Sequence, residues 1–195
     1  MTMSTAIKAK LASGDDIHTE ILWHMVGRNR STGAPETLSL WTGAEDRIFT
    51  VDGINRTYLG DGSIIQVPPI SYQAGIEVQY YEITLSGASP SVREAFFVHD
   101  MRFAKVEMHV AFFTTDRIFI DLWRPFKGSV AEPDLSRASV GGNQVYNINC
   151  VTTARDLTIP MAATRSHEGM QITNPGDNSW KFTASVPNVE PRWEG

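Results

Sequence analysis

The sequence predicts a mainly β fold, an antiparallel barrel or sandwich with a short N-terminal helix and one short connecting helix. About nine short runs alternate apolar and polar residues or are rich in β-branched and aromatic side chains, which is typical of strands. Tight-turn residues separate many of these runs. Strands do not alternate regularly with long helices, so a parallel α/β sheet is excluded.

The N-terminal segment predicts a short amphipathic helix over residues 5–13. Apolar residues recur there at near-helical spacing, Ser4 or Thr5 can cap the first turn, and Gly14 stands where a left-handed residue commonly ends a helix. Further along, the polar stretch over residues 27–36 predicts an extended surface loop.

A tight hairpin is predicted around Asp52 and Gly53. These two residues lie between apolar-alternating runs over residues 48–51 and 54–59. The pair suits a type I′ turn, because both central residues need a positive φ and glycine adopts one without steric cost.

The next long run, residues 76–86, changes phase near Tyr80 and predicts a strand with a β-bulge at that point. Ser89 and Pro90 then resemble an N-cap followed by proline at the first helical position. A connecting helix of one or two turns is therefore predicted over residues 91–97.

Residues 105–113 alternate most regularly, and they predict an antiparallel pair with residues 118–123. Gly128 and Pro133 predict that a loop follows. The remaining short strands are predicted over residues 17–26, 38–41, 64–67, 144–153, 157–160 and 180–186. Residues 1–186 are expected to form one domain, and residues 187–195, with two prolines and no periodicity, an extended arm.

Composition disfavours binding through bulk charge. The chain carries 22 acidic and 17 basic residues, a formal net charge of −5, which repels phosphate backbones and anionic lipid. A local basic patch is compatible with this composition. Sequence-specific nucleic-acid binding is not expected. No stretch approaches the ~20 apolar residues of a membrane span, and the N-terminal residues lack the apolar core of a secretory signal, so assembly in the cytoplasm is expected.

No residue pattern predicts catalysis, a cofactor or a metal site. Cys150 is the only cysteine, which excludes a CxxC zinc site or an iron–sulfur cluster held by this chain alone and favours a small buried side chain. A Gly-x-Ser-x-Gly element is missing, and none of the five histidines has the spacing of a metal-binding pair. His109 alternates with Lys105 and Glu107 and is expected on a solvated strand face.

Two adjacent pairs, His99 with Asp100 and His167 with Glu168, contain the minimum for acid–base chemistry. Neighbouring residues of a strand point to opposite faces, which argues against both pairs. The chain is therefore predicted not to be an enzyme.

The tryptophans suggest contacts between subunits. The chain has five of them, and Trp193 lies in the predicted arm. Because tryptophan is a frequent interface hot spot, Trp193 and Trp180 are the candidate interface residues.

Several short segments resemble the tail-hub (baseplate hub) proteins of gene transfer agents and related long-tailed phages. The resemblance also includes the predicted hairpin over residues 48–59 and the strand pair over residues 106–123. The other segments are Ile7-Lys-Ala-Lys-Leu11-Ala-Ser-Gly14, Ile21-Leu22-Trp23, Leu40-Trp-Thr-Gly43, Gly62-Ser-Ile-Ile-Gln66, Ile83-Thr-Leu-Ser-Gly87 and Asn174-Pro-Gly-Asp-Asn-Ser-Trp180-Lys-Phe182.

The resemblance implies a virion structural protein of the tail tip, which forms a closed ring and links the tail tube to distal fibre or penetration parts. Threefold symmetry is favoured, with a sixfold distal tail ring as the alternative. Some longer relatives have cysteines that suggest an iron–sulfur site, but the single cysteine here departs from that pattern, so no cluster is carried over. Edge strands and arms of a barrel offer pairing groups that a closed ring covers.

Two other functions compete with this one. A carbohydrate-binding β-sandwich would use Tyr80, Tyr81 and Trp180 as stacking platforms. A hydrolase on a barrel scaffold would use His99 and Asp100, and it ranks lowest.

Overall fold

A computed structural model describes residues 3–69, 78–136, 144–157, 167–179 and 181. The chain forms two compact units, Met1–Asp156 and Leu157–Gly195. The predicted strand over residues 180–186, the arm over residues 187–195, most of the predicted strand over residues 157–160 and the boundary at residue 186 lie outside the described residues.

The first unit is mainly β and antiparallel, as predicted. Seven strands form one curled sheet, a half-barrel, and two form a separate hairpin. The strands are β1 (Ile17–Asn29), β2 (Pro35–Trp41), β3 (Arg47–Val51), β4 (Ile54–Tyr58), β5 (Ile64–Gln66), β6 (Tyr80–Ser86), β7 (His99–Thr114), β8 (Phe119–Ser136) and β9 (Val145–Thr152). The order in the sheet is β2-β1-β7-β8-β9-β6-β5, and β3 pairs with β4.

Both predicted helices are confirmed, together with their caps. Helix α1 (Thr5–Ser13) starts at Ser4, whose hydroxyl accepts a hydrogen bond from the Ile7 amide at 3.4 Å, and ends at left-handed Gly14. Helix α2 (Pro90–Val98) starts at Ser89, whose hydroxyl accepts from the Val92 amide. Each cap satisfies an amide that the first helical turn leaves without a partner.

The concave face of the sheet holds the main core. Alternate residues of β1, β2, β6, β7, β8 and β9 point into it, and Val92 and Ala95 of α2 cover it. Trp23, Tyr146 and Ile148 are fully buried there. Each such side chain contributes about 1.5–3 kcal/mol through burial, so this cluster is the main source of stability.

A short link brings the two edges of the sheet towards each other. Leu59 exchanges backbone hydrogen bonds with β2 at one edge, and β5 begins at Ile64 on the other edge. An extended chain covers at most about 3.6 Å per residue, so the two edges lie within roughly 18 Å of each other. Asp61 secures the link because its carboxylate accepts hydrogen bonds from Ser63 and from Ser89, the latter at 2.7 Å.

The predicted β3–β4 hairpin is confirmed, with positive φ at Asp52 (51°) and Gly53 (80°). Its inner face packs on the convex side of the sheet. Phe49 and Tyr58 form a second buried cluster there with Leu22, Ala111 and other residues of the sheet. This hairpin therefore covers a sheet face that would otherwise be exposed to solvent.

Two predicted loops and one predicted bulge differ from the structure. The expected loop over residues 27–36 is shorter, because β1 continues to Asn29 and β2 starts at Pro35, which leaves residues 30–34 between the two strands. The loop expected around Gly128 and Pro133 belongs to β8, which absorbs its irregularities through shifts of register. The register between β6 and β9 passes through Tyr80 without a shift, so the bulge predicted there is absent from that described pairing.

In the second unit, His167–Thr173 form a short helix, α3, that was not predicted. Gln171 holds the following turn: its side-chain amide donates to the Asp177 carbonyl at 2.6 Å and accepts from the Gly176 amide at 3.1 Å. The Asn-Pro-Gly-Asp segment thus forms an ordered turn after this helix.

Candidate interaction surfaces

The most distinctive local feature is a wide bulge in β7. Val26 pairs with Lys105 and Arg28 with Asp100, so residues 101–104 all stand opposite Gly27. A Cβ atom on Gly27 would lie 3.2 Å from the Asp100 carbonyl oxygen, a closer contact than most Cβ atoms make. Bulges often redirect side chains at functional sites.

Burial of its first and last residues fixes the conformation of this bulge. Met101 and Ala104 are buried in the main core, whereas Arg102 and Phe103 face solvent. Phe103 has a φ of 59°, a left-handed conformation that bulky residues rarely adopt. The buried anchors on either side hold this strained residue on the surface.

Two adjoining clefts, of about 500 and 820 Å³, open beside the bulge and share Arg28, Gly33, Asp100 and Arg102. Four of the residues that line them are cationic and one is acidic. The cationic ones are Arg28, Arg30, Arg102 and Lys105. We refer to the two clefts together as the basic cleft.

The four cations of the basic cleft differ in the contacts that their side chains make with the rest of the fold. Arg30 binds the backbone, with Nε 2.8 Å from the His99 carbonyl oxygen and Nη2 3.4 Å from that of Phe96. Arg102 contacts the only acidic group, with Nε 3.4 Å from Asp100 Oδ1, and its side chain remains 72% exposed. Arg28 and Lys105 are exposed and make no side-chain hydrogen bond or ion pair with any described residue.

Asp100 neutralises only part of this positive charge. Hydrogen bonds from the side chain and the backbone amide of Arg102, together with the charges of Arg102 and Arg30, lower the pKa of Asp100. Its carboxylate is thus ionised but already paired. The basic cleft keeps a local positive charge on a chain that is acidic as a whole.

A second charged cluster lies under the β3–β4 hairpin and is centred on Glu107. Its carboxylate receives Arg56 of β4 at 2.9 Å and Arg124 of β8 at 3.3 Å. Arg124 also contacts Asp52 at 3.0 Å, and Lys127 reaches Glu107 at 3.4 Å. This ion-pair cluster joins the hairpin to β7 and β8.

Two buried histidines lie on the same face of the sheet. His109 is 3% exposed, so the solvated face predicted for it was wrong; the hairpin covers that face. Burial lowers the pKa of His24 and of His109 to about 4; the charge of Arg56 acts in the same direction on both, whereas the charge of Glu107 opposes the shift. Both rings are therefore neutral near pH 7, and Nδ1 of His24 lies 2.8 Å from the Ser39 hydroxyl.

The outer edge of β2 is open over its first half. Trp41 N–H and Ser39 C=O point outward to Leu59, and by strand alternation the N–H and C=O of Thr37 point the same way. Within the described part of the chain, no strand pairs with β2 at Thr37. Unpaired edge groups of this kind are available to another chain.

Several large apolar side chains are also exposed. Phe97 and Phe103 are 57% and 65% exposed, and Ile48 and Ile54 of the hairpin 63% and 61%. Single exposed residues of this kind are common, but aromatic rings next to arginines are typical of protein and nucleic-acid interfaces.

The candidate residues proposed from the sequence do not assemble into one site. Trp180 and Trp193 lie outside the described residues. Tyr80 is 65% exposed whereas Tyr81 is buried against Phe126, so these two rings do not share a stacking platform. His99 is buried, whereas Asp100 lines the basic cleft.

Across the described residues, no group of three His, Cys, Asp or Glu side chains is arranged to hold a metal ion. None of the described helices has the length and apolarity needed to cross a bilayer. Cys150 is buried in the main core, and burial raises the pKa of its thiol to about 12.

The basic cleft was missed because its cations come from distant segments. Arg28 and Arg30 occur in a stretch that reads as a loop, and Arg102 and Lys105 come much later. Only the pairing of β1 with β7 brings them together.

Comparison with protein-family models and with curated proteins found no match.

Proposed function

We propose that this chain is a structural subunit of the tail tip of a phage or phage-like particle, in the first place the baseplate hub that connects the tail tube to distal parts. The open edge of β2 at Thr37 carries the proposal, because a ring of identical subunits can pair such an edge with each neighbour. The mainly β fold and the short segments that resemble tail-hub proteins support it.

The exposed apolar residues add a second argument. Ile48 and Ile54 project from the hairpin with more than half of their surface exposed. In an isolated subunit this exposure stabilises nothing, whereas an assembled ring can bury it. The same chain then gains stability from assembly without any catalytic group.

The competing enzymatic and carbohydrate-binding functions have less support. Tyr80 is exposed whereas Tyr81 is buried, so these two rings cannot form one sugar-stacking platform. His99 is buried and Asp100 lines the basic cleft, so the two residues do not face one reaction centre. Within the tail-tip class, a sixfold distal ring is the alternative to a threefold hub.

Light scattering on the full-length chain, alone and with isolated tail components, tests the proposal. Three copies per particle would support the hub and six the distal ring. A chain that stays monomeric and never associates with tail components would overturn both.

One substitution tests the role of the edge. Thr37→Pro removes the outward N–H but leaves the bonds between β2 and β1, since proline is tolerated on edge strands. We expect this variant to fold and to assemble less. Thr37→Ala keeps the N–H and is the matched control. Equal assembly of the two variants would show that subunits do not pair through this edge.

A further inference from the structure

The basic cleft concentrates positive charge on a chain of net charge −5. Arg28 and Lys105 are exposed, and Arg102 is 72% exposed although it contacts Asp100. Arg30 is held by backbone carbonyls and forms one wall. Three exposed cations therefore line one groove, and several cations in one groove can contact more than one phosphate of a chain.

An exposed aromatic ring lies beside these cations. Phe103 projects from the bulge between Arg102 and the strand position of Lys105, and 65% of its surface is exposed. The guanidinium of Arg155 lies 5.9 Å from the centre of its ring, on one face. A planar ring held in place next to cations is the usual platform for a nucleic-acid base.

We infer that the basic cleft binds single-stranded nucleic acid, with Arg28, Arg102 and Lys105 on consecutive phosphates and Phe103 stacked on a base. This site goes beyond the tail-tip role and does not depend on ring formation.

The combination of groups selects this ligand over other anions. An acidic peptide satisfies the cations but leaves the exposed ring without a flat partner. A duplex satisfies the cations as well, yet its bases are stacked on each other and present only their edges. A single strand supplies both phosphates and base faces.

The strain at Phe103 makes a clean test possible. Glycine adopts a φ of 59° without steric cost, so Phe103→Gly removes the ring while relieving the backbone. Phe103→Trp keeps a larger stacking surface at the same strained position. Phe103→Gly is therefore expected to fold and to bind more weakly, and Phe103→Trp to bind at least as tightly as the wild type.

The direct measurement is fluorescence anisotropy of a labelled oligothymidylate of about 12 nucleotides, within the usual site size for such proteins. Three phosphate contacts predict that log K falls with log salt at a slope of about −2, since each contact on a single strand contributes about 0.7. Phe103→Gly should weaken binding about 5-fold or more, the effect of losing one stacked base.

Charge reversal provides the matched pair. Lys105→Glu lies in the basic cleft and should weaken binding at least about 10-fold, whereas Lys8→Glu makes the same charge change on exposed α1 and should leave it near wild type. Equal effects of the two reversals, or no binding by the folded wild type, would overturn the inference.

Competition experiments distinguish a single strand from an acidic peptide and from a duplex. Displacement by a polyglutamate peptide as readily as by unlabelled oligothymidylate would assign the cleft to an acidic protein segment and overturn the inference. Displacement by a duplex of equal length at equal concentration would overturn the stacking role of Phe103. Preferential displacement by the single strand supports the inference, whatever the oligomeric state of the chain.

Discussion

Nη1 of Arg56 lies 2.9 Å from Oε2 of Glu107, and this ion pair ties the β3–β4 hairpin to β7. The two side chains are 18% and 13% exposed, so water screens the pair only partly. Burial by itself raises the pKa of Glu107, but the hydrogen bond from Arg56 and the charges of Arg56 and Arg124 lower it below the usual value. Glu107 is therefore ionised at neutral pH and holds the hairpin against the sheet.

A double-mutant cycle measures this contact. Arg56→Gln and Glu107→Gln each remove one charge and leave the other partly buried, so each should destabilise the chain by about 1–3 kcal/mol. The double variant should lose about 1–2 kcal/mol less than the sum, because the contact between Arg56 and Glu107 can be lost only once. Urea unfolding of the wild type, the two single variants and the double variant gives the coupling energy between Arg56 and Glu107. Strictly additive effects on the free energy of unfolding would contradict the predicted coupling.

Stability should fall as the pH decreases from about 6.5 towards 4. Both His24 and His109 have a pKa of about 4 when folded and bind protons near pH 6.5 when unfolded, so the unfolded state takes up more protons in this window. The linkage predicts a loss of about 3 kcal/mol for each histidine. Stability is at its full value above pH 6.5, and the loss levels off below pH 4.

The two histidines can be tested singly. Urea unfolding at a series of pH values should show a smaller pH slope in His109→Gln and in His24→Gln than in the wild type. A wild-type unfolding free energy that stays constant between pH 7 and pH 5 would rule out buried neutral histidines.

Gly128 should tolerate no side chain. A Cβ atom there would lie 2.0 Å from the Val151 carbonyl oxygen of the neighbouring strand, and that backbone cannot move without breaking its pairing. Gly128→Ala should therefore cost more than about 3 kcal/mol. Gly53→Ala, at a positive φ of 80° with open space around it, should cost about 1–2 kcal/mol and serves as the comparison. Thermal unfolding of both variants tests the ranking, and a reversed order would refute it.

The predicted C-terminal arm remains to be tested by deletion. Removing residues 188–195 takes away Trp193, whose burial against a neighbouring subunit would contribute about 2 kcal/mol or more per interface. The truncated chain should keep its β-type circular dichroism but assemble less readily into rings or tails. Unchanged assembly after the deletion would show that the arm is dispensable.

Local features could be predicted from the sequence because local chemistry determines them. Ser4 and Gly14 bound α1, Ser89 starts α2, and the Asp52-Gly53 pair forms the hairpin turn. In each case a few neighbouring residues satisfy backbone groups or supply the required φ.

Features that depend on distant contacts could not be predicted. His109 alternates like a surface residue, and only the hairpin packed over β7 buries it. The sequence predicts a loop at Gly128, but glycine is required there because the Val151 carbonyl oxygen of the neighbouring strand lies too close for a Cβ atom. The basic cleft depends on the pairing of β1 with β7, and no local pattern encodes that pairing.

The position of β7 beside β1 also has a consequence for synthesis on the ribosome. Five strands are made between β1 and its central partner, so the inner edge of β1 stays open while they emerge. The β1–β2 and β3–β4 hairpins can form early, but the sheet is complete only after β7, β8 and β9 leave the exit tunnel. Nascent chains on neighbouring ribosomes thus expose matching edges, and slow translation or chaperone capture over this interval favours correct folding over cross-pairing.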